Sequence, residues 1–316
     1  MEYAPANLER TVITYRAFGM NIESDIPLPE LETSEGLPDV RIVYGKTPIE
    51  IPGAARRKRS YQVAPNHFLL RVPHVSRYSV TNGDCIVVEP EPDVEPETVR
   101  LFLLGTSFGA LLVQRGILPI HGSAVVMNGK AVIFTGMSGA GKSTLLSAFR
   151  KRGALFLSDE IAAVTFDRNG VPWVQAGYPH QKLWRDTAEK MGMDVSIYRQ
   201  IRSGIEKYAI ELNESFHRKA APLLAVFEVL PVKCLKVKVN RLTEFESLKV
   251  LIKNTYHPHL MNDPGVKTTH FQQCHALLRQ TKVFRITRPE GVFSISEQAD
   301  CVEQQLEETS RLSFQM

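Results

Sequence analysis

The nine residues 136–144 read GMSGAGKST, and no other stretch limits the possible folds of this chain so strongly. They fit G-x-x-x-x-G-K-[ST], with Gly136, Gly141, Lys142 and Ser143 in the fixed places. Before them, residues 130–134 (KAVIF) are a short apolar run of strand formers. After them, residues 145–152 suit a helix. Strand, glycine loop and helix are the setting in which backbone N–H groups converge on a phosphate and the helix adds its positive end. In such a loop the lysine reaches the outer phosphates and the serine hydroxyl meets Mg²⁺. Gly136, Ser138, Gly139, Ala140, Gly141, Lys142, Ser143 and Thr144 are therefore the candidate nucleotide-binding residues, with ATP and Mg²⁺ the expected pair.

What receives a phosphoryl group must come from elsewhere. Residues 154–157 form a short apolar stretch that ends in Ser158-Asp159-Glu160. Two acids at a strand end, close after a phosphate loop, suit Mg²⁺ and an acceptor hydroxyl. Solvated turn acids are the plain alternative. Strand alternation would point them in opposite directions, one to metal and one to the acceptor. His121 stands beside Gly122, where the backbone can approach a ligand closely, and is a candidate site residue. Residues 118–127 and 130–134 close on Asn128-Gly129 as a hairpin leading into the loop. Lys207 lies on an alternating strand pattern, residues 205–212, and points either at the nucleotide or at solvent. Arg288 leaves the last strand, residues 283–286, and could neutralise transferred charge. Lys182 and Arg185 fall three apart on an expected helix over QKLWRDTAEKMG, as phosphate ligands or as surface charges.

The remainder is organised around this centre. Residues 1–94 read as a small β-rich domain, with an Asn82-Gly83 hairpin turn. The basic run Arg56-Arg57-Lys58-Arg59 is a solvated loop or a docking patch for an acidic peptide. EPEPDVEPE, residues 89–97, is too rich in proline and acid for a core element and reads as the linker to a catalytic domain over 95–316. Pro96 suits the first turn of a nearly all-apolar helix ending near Gln114, buried between the domains or against the central sheet. Thr243 and Glu246 form a capping-box pattern ahead of another helix.

With 316 residues and 43% hydrophobic composition, a sizeable core is affordable. A net charge of only +4 does not suggest a dedicated nucleic-acid binder. Cys85, Cys234, Cys274 and Cys301 lie far apart, as free thiols of a reducing cytoplasm. No apolar run approaches the ~18 residues of a membrane span. The first ten residues show no signal-peptide pattern.

The segment HGSAVVMNGKAVIFTGMSGAGKST followed by KRGALFLSDE resembles the catalytic domain of HPr serine kinase/phosphorylase over residues 118–165. The resemblance implies an α/β P-loop kinase domain of the HPr-kinase/PEP-carboxykinase-like type. It also implies that Asp159 activates the acceptor serine, that His121 lies beside it, and that Glu160 helps Asp159 and Ser143 with the metal. The N-terminal domain differs from that of the bifunctional enzyme. The whole pattern is more similar to the HPr-kinase-like tailoring enzymes of lasso-peptide clusters. It shares with them the start at Phe18-Gly19 through Glu30, the Lys182-Leu183-Trp184 and Lys207-Tyr208 segments, and Thr287-Arg288-Pro289. That likeness implies a cytoplasmic, ATP-dependent kinase of the C-terminal serine of a short precursor peptide, with a homo-oligomer left open. HPr itself, a small-molecule acceptor and a regulatory ATPase module are the other readings.

Overall fold

The computed structural model describes residues 12–54, 56–202, 204–262 and 264–313. It is mixed α/β, with a nine-stranded sheet, an eight-stranded sheet and a three-stranded sheet. The nine-stranded sheet takes the chain from Ile13–Ala17 to Cys85–Pro90. Its hairpins are mostly antiparallel, but Val40–Tyr44 lies parallel to both Met20–Ser24 and Cys85–Pro90. Asn82 and Gly83 both adopt positive φ at the tight turn before Cys85. Part of the basic run, Arg56–Arg57, closes one edge of this sheet as a two-residue strand; the side chains of Arg56 and Arg57, like residues 1–11, lie outside the described set.

The apolar helix begins at Pro96, passes through a π-helical segment at Leu103–Ser107, and ends at Gln114. By length and composition it could cross a membrane, contrary to the expectation that no such run exists. Here its Val99, Leu103, Phe108, Leu111 and Leu112 share one core with Ile22, Val40, Tyr78 and Val88 of the nine-stranded sheet. Ile161, Ala163 and Tyr178 of the second half reach into the same core, so the helix lies between the two large sheets.

The eight-stranded sheet closes partly on itself. Leu118–Met127 pairs antiparallel with Lys130–Thr135 and, through its first residues, with Ile161–Phe166. Ile161–Phe166 pairs with Pro172–Val174, which pairs with Ala221–Val232. Ala221–Val232 returns parallel to Lys130–Thr135 and completes the ring. It also lies parallel to Lys282–Pro289, so three parallel strands end side by side. In open α/β sheets the carboxyl ends of such strands are where ligands sit. A row of rings ties these layers together. Phe149 of the helix Lys142–Lys151 stacks on Phe134 at 5.2 Å, and Phe227 stacks on Phe284 at 5.0 Å. The helix behind the glycine loop is thereby fixed to the sheet by a buried aromatic contact.

One expected element is different. Lys182 does not lie on a helix: His180–Trp184 is a strand paired with Lys207–Glu211, and the helix starts only at Arg185. Alternate burial decides this. Gln181 and Leu183 are buried while Lys182 and Trp184 face the other way, a period of two rather than 3.6.

Candidate functional site

The loop begins where Lys130–Thr135 ends, and the helix Lys142–Lys151 takes over at Gly141. Gly136, Gly139 and Gly141 have φ of 139°, 79° and 109°, values that side chains disfavour. Gly136 has a second reason to lack a side chain: a Cβ there would lie 2.6 Å from the Val229 carbonyl of the neighbouring parallel strand. Lys142 is buried and its Nζ donates to the carbonyls of Gly136 and Met137 at 2.9 and 3.0 Å. Burial lowers its pKa from the ordinary lysine value, against the raising effect of Asp159. Arg288, at the end of the third parallel strand, donates from Nε to the Ala140 carbonyl at 2.9 Å and lies alongside Gly141. Ser138 and Gly139 are exposed at the loop tip, and Thr144 is half-buried on the helix.

The acids stand opposite Gly122 and Ser123. Leu155–Ser158 and Ile161–Phe166 both pair with Leu118–Met127, one on each side of Asp159-Glu160. Between them the chain kinks: Glu160 has φ 68° and the Ile161 N–H donates to the Asp159 carbonyl at 2.9 Å. A hydrogen bond across one residue with positive φ is a γ-turn of the rarer, strained hand. Gly122 lies close against the hairpin partner strand, where a Cβ would meet the Phe134 carbonyl at 2.7 Å. Its N–H donates to the Glu160 carbonyl.

The kink sends the two carboxylates to different partners. Asp159 is 7% exposed. Its Oδ1 accepts from the hydroxyls of Ser123 at 2.6 Å and Ser143 at 3.0 Å. Its Oδ2 accepts one hydrogen bond, from the Lys182 N–H at 3.0 Å. Glu160 departs from the expected place beside Ser143. Its Oε2 accepts from Lys182 Nζ at 2.6 Å and its Oε1 from Lys207 Nζ at 2.8 Å. Burial alone would raise the Glu160 carboxyl, but the two ammonium groups outweigh it and hold it far below the carboxylate range. Burial alone would lower Lys182, but Glu160 outweighs it and raises the amine above the lysine range. Lys207, left open between nucleotide and solvent, bonds Glu160 and lies close enough to Lys142 to lower its pKa.

His121 lies within reach of the charges of Lys142, Glu160 and Asp159, but its ring makes no hydrogen bond to Asp159. Its main chain bonds Asn254 and Thr135, and its ring packs edge-on against Tyr256 at 6.0 Å. Ser123, Ser143 and the Lys182 N–H hold Asp159 instead. Burial, followed by the charge of Lys142, lowers the His121 imidazole to about 4, so the ring is neutral at pH 7. Tyr178, buried near Lys182 and Glu160, is pushed up to about 12 and stays protonated. Ser123 escaped the sequence reading; a serine inside an apolar strand, directly after His121-Gly122, was its only signal. Gln181 was also missed: its amide donates to the Ser143 carbonyl at 2.6 Å and to Ser147 Oγ at 2.8 Å, pinning the first turn of the loop helix. Two cavities of about 330 and 1080 Å³ lie elsewhere, and neither is lined by a loop residue.

No family model matches this sequence, and no curated protein matches it. Among solved structures, the HPr(Ser) kinase/phosphatase from Coxiella burnetii is similar over 62% of this chain and 95% of its own, at 12% identity and a TM-score of 0.35.

Proposed function

We propose that this protein is an ATP-dependent kinase of the HPr-kinase/PEP-carboxykinase-like P-loop type, transferring the γ-phosphoryl group of ATP to a serine hydroxyl of a peptide. The observation that carries this is Asp159, whose Oδ1 is bonded to the loop residue Ser143 while Oδ2 faces the strand of Lys182 with a single donor. One carboxylate thus spans the phosphate loop and the side from which an acceptor can come.

The residues fit the expected ligands. Lys142 and Arg288 put two cations at the loop, where a polyphosphate needs compensation. Ser143 and Asp159 offer the hard oxygens that Mg²⁺ prefers, and the ion would neutralise charge on the phosphate oxygens. Glu160, engaged by both lysines, has no direct part in holding it. Lys142, Arg288, Lys182 and Lys207 against Asp159 and Glu160 leave two positive charges in the site, with His121 neutral. That excess suits an anion.

In transfer, the acceptor hydroxyl gives its proton to Asp159 Oδ2 as its oxygen bonds the γ-phosphorus and the bond from phosphorus to the bridging oxygen breaks. The transition state is loose, so orientation of the hydroxyl matters as much as basicity. Ser123 keeps hold of Oδ1 while Oδ2 works. The neutral His121 ring shapes the wall beside Asp159 without adding charge.

Asp159→Asn should bind nucleotide without Mg²⁺ nearly as well as wild type yet lose transfer by about 10²-fold or more. Lys142→Ala should lose transfer as well, through uncompensated phosphate charge. Nucleotide titration and transfer to a serine peptide decide the matter; full transfer by Asp159→Asn would withdraw the role given to it. A short precursor peptide with a C-terminal acceptor serine is the substrate class this reading favours, on the likeness of residues 18–30, 182–184 and 287–289 to the lasso-peptide tailoring kinases.

A further inference from the structure

We propose that Lys182 and Lys207 form a receptor for a carboxylate that the acceptor carries next to its hydroxyl. The inference rests on the phosphoryl-transfer reading above and extends it to the acceptor. In an in-line displacement the nucleophile and the leaving group stand on opposite sides of phosphorus. The loop lies on the Oδ1 side of Asp159, so the acceptor comes to the Oδ2 side. What lines that side is one face of the hairpin made by His180–Trp184 and Lys207–Glu211. Lys182 stands opposite Ala209, and Trp184 opposite Lys207. Side chains at directly opposed positions share a face, so Lys182, Trp184 and Lys207 all point the same way.

The charge on this face is incomplete. Among the described residues Glu160 is the one carboxylate that both ammonium groups bond, at 2.6 and 2.8 Å, and their side chains are only 11% and 19% exposed. One carboxylate against two ammonium groups leaves a net positive charge on this face, and a charge-assisted bond to a second anion would be favourable there. A second carboxylate would complete the set. Ala209, opposite Lys182, adds only a methyl group to this face. Trp184, 45% exposed and with Lys207 Nζ 5.9 Å from its ring centre, offers an apolar wall where the face opens to solvent. The donor's charge does not call for these lysines, since Lys142 and Arg288 already stand at the loop. Because Lys182 also supplies the N–H that bonds Asp159 Oδ2, a carboxylate on its ammonium would sit one residue's reach from the working oxygen.

The test uses the full chain with ADP and Mg²⁺ and three N-acetylated probes followed by ligand-observed NMR. One is Gly-Gly-Ser with a free terminal carboxylate, the second is its amide, and the third is Gly-Ser-Asp amide. At least one acidic probe should bind about tenfold tighter than the neutral amide, as expected for a charge-assisted hydrogen bond. Which acidic probe gains tells a chain-terminal carboxylate from a side-chain one. The gain should vanish in Lys207→Ala and survive in Lys207→Arg, while ADP affinity stays within about twofold. Equal or absent binding of the three probes, or a Lys207→Ala loss that falls on the nucleotide instead, overturns the proposal. Transfer to the same probes is assayed separately. Charge-dependent binding without transfer to any probe would sink the kinase reading and leave the receptor standing.

Discussion

At His121 the cost of burying a ring that can charge sets a pH dependence. The folded imidazole is lowered to about 4 from the ordinary 6.5, burial first and Lys142 second. As pH falls, the unfolded chain therefore takes up its proton before the folded one. The stability that goes with a neutral His121 is whole above pH 6.5, drains between 6.5 and 4, and is constant below. The full swing is about 3 kcal/mol. His121→Gln should remove this contribution, so its urea midpoint should fall less than that of wild type between pH 7 and 4.5. Parallel pH slopes for the two proteins would show that burial of His121 is not what the structure implies. Glu160 adds to the lower end of the slope: held charged by Lys182 and Lys207 in the folded chain, it leaves the unfolded carboxylate to take up its proton first as pH falls through 4.5, in wild type and His121→Gln alike.

Among the elements, the hairpin of Leu118–Met127 and Lys130–Thr135 does two tasks. It delivers the chain to the glycine loop, and the Gly122 N–H steadies the kink between Asp159 and Glu160 by donating to the Glu160 carbonyl. Gly122→Ala would press a methyl carbon to 2.7 Å from the Phe134 carbonyl and 3.0 Å from Ile133 Cγ2. Neither can retreat, because both belong to a central paired strand. A loss of about 1–3 kcal/mol in unfolding free energy is expected, together with a fall in transfer as the kink is displaced. The helix Glu244–Lys253 supplies the control. Its Thr243 and Glu246 form the reciprocal capping box, far from the acids. Thr243→Ala should cost about 1 kcal/mol and leave transfer unchanged. If both variants lower transfer equally, the effect of Gly122→Ala is stability alone.

Across the whole molecule, ion pairs join the segment after the second strand to later elements, and their burial sets their worth. Arg100, whose side chain is 7% exposed, donates from Nε to both oxygens of Glu30 at 2.8 and 3.0 Å. Arg218, 56% exposed, meets Glu32 at 2.6 Å beside the larger cleft. Removing one partner of a buried pair strands a charge, whereas an exposed pair is screened. Because Glu97 remains 3.6 Å from Arg100, Glu30→Gln should lower stability by about 1–2 kcal/mol and Glu32→Gln by less than about 1 kcal/mol, measured by urea unfolding. A larger effect at Glu32 would mean that the contact across the cleft, rather than burial, dominates.

Local rules determined much of this protein from the sequence alone. The glycine pattern of residues 136–144 required a turn that only residues without side chains can make. Asn128-Gly129 and Asn82-Gly83 dictated hairpins, and Thr243 with Glu246 dictated a helix start, because each acts on neighbours only a few residues away. Asp159 stood out by its distance from the loop and Arg288 by its place at a strand end. What the sequence left open depended on partners distant along the chain. The strand at Lys182 forms because Lys207–Glu211 pairs with it, and that pairing overrides a helical pattern in residues 181–192. Glu160 turned to two lysines rather than to the loop because a kink, invisible in the sequence, broke the alternation that would have placed it. The length and apolar character of Pro96–Gln114 are equally those of a membrane span and of a core helix, and only its packing under the nine-stranded sheet assigned it. Ser123 became a partner of Asp159 only when two strands aligned residues 36 apart in sequence. Short-range chemistry wrote the loop; the sheet register decided which side chains meet it.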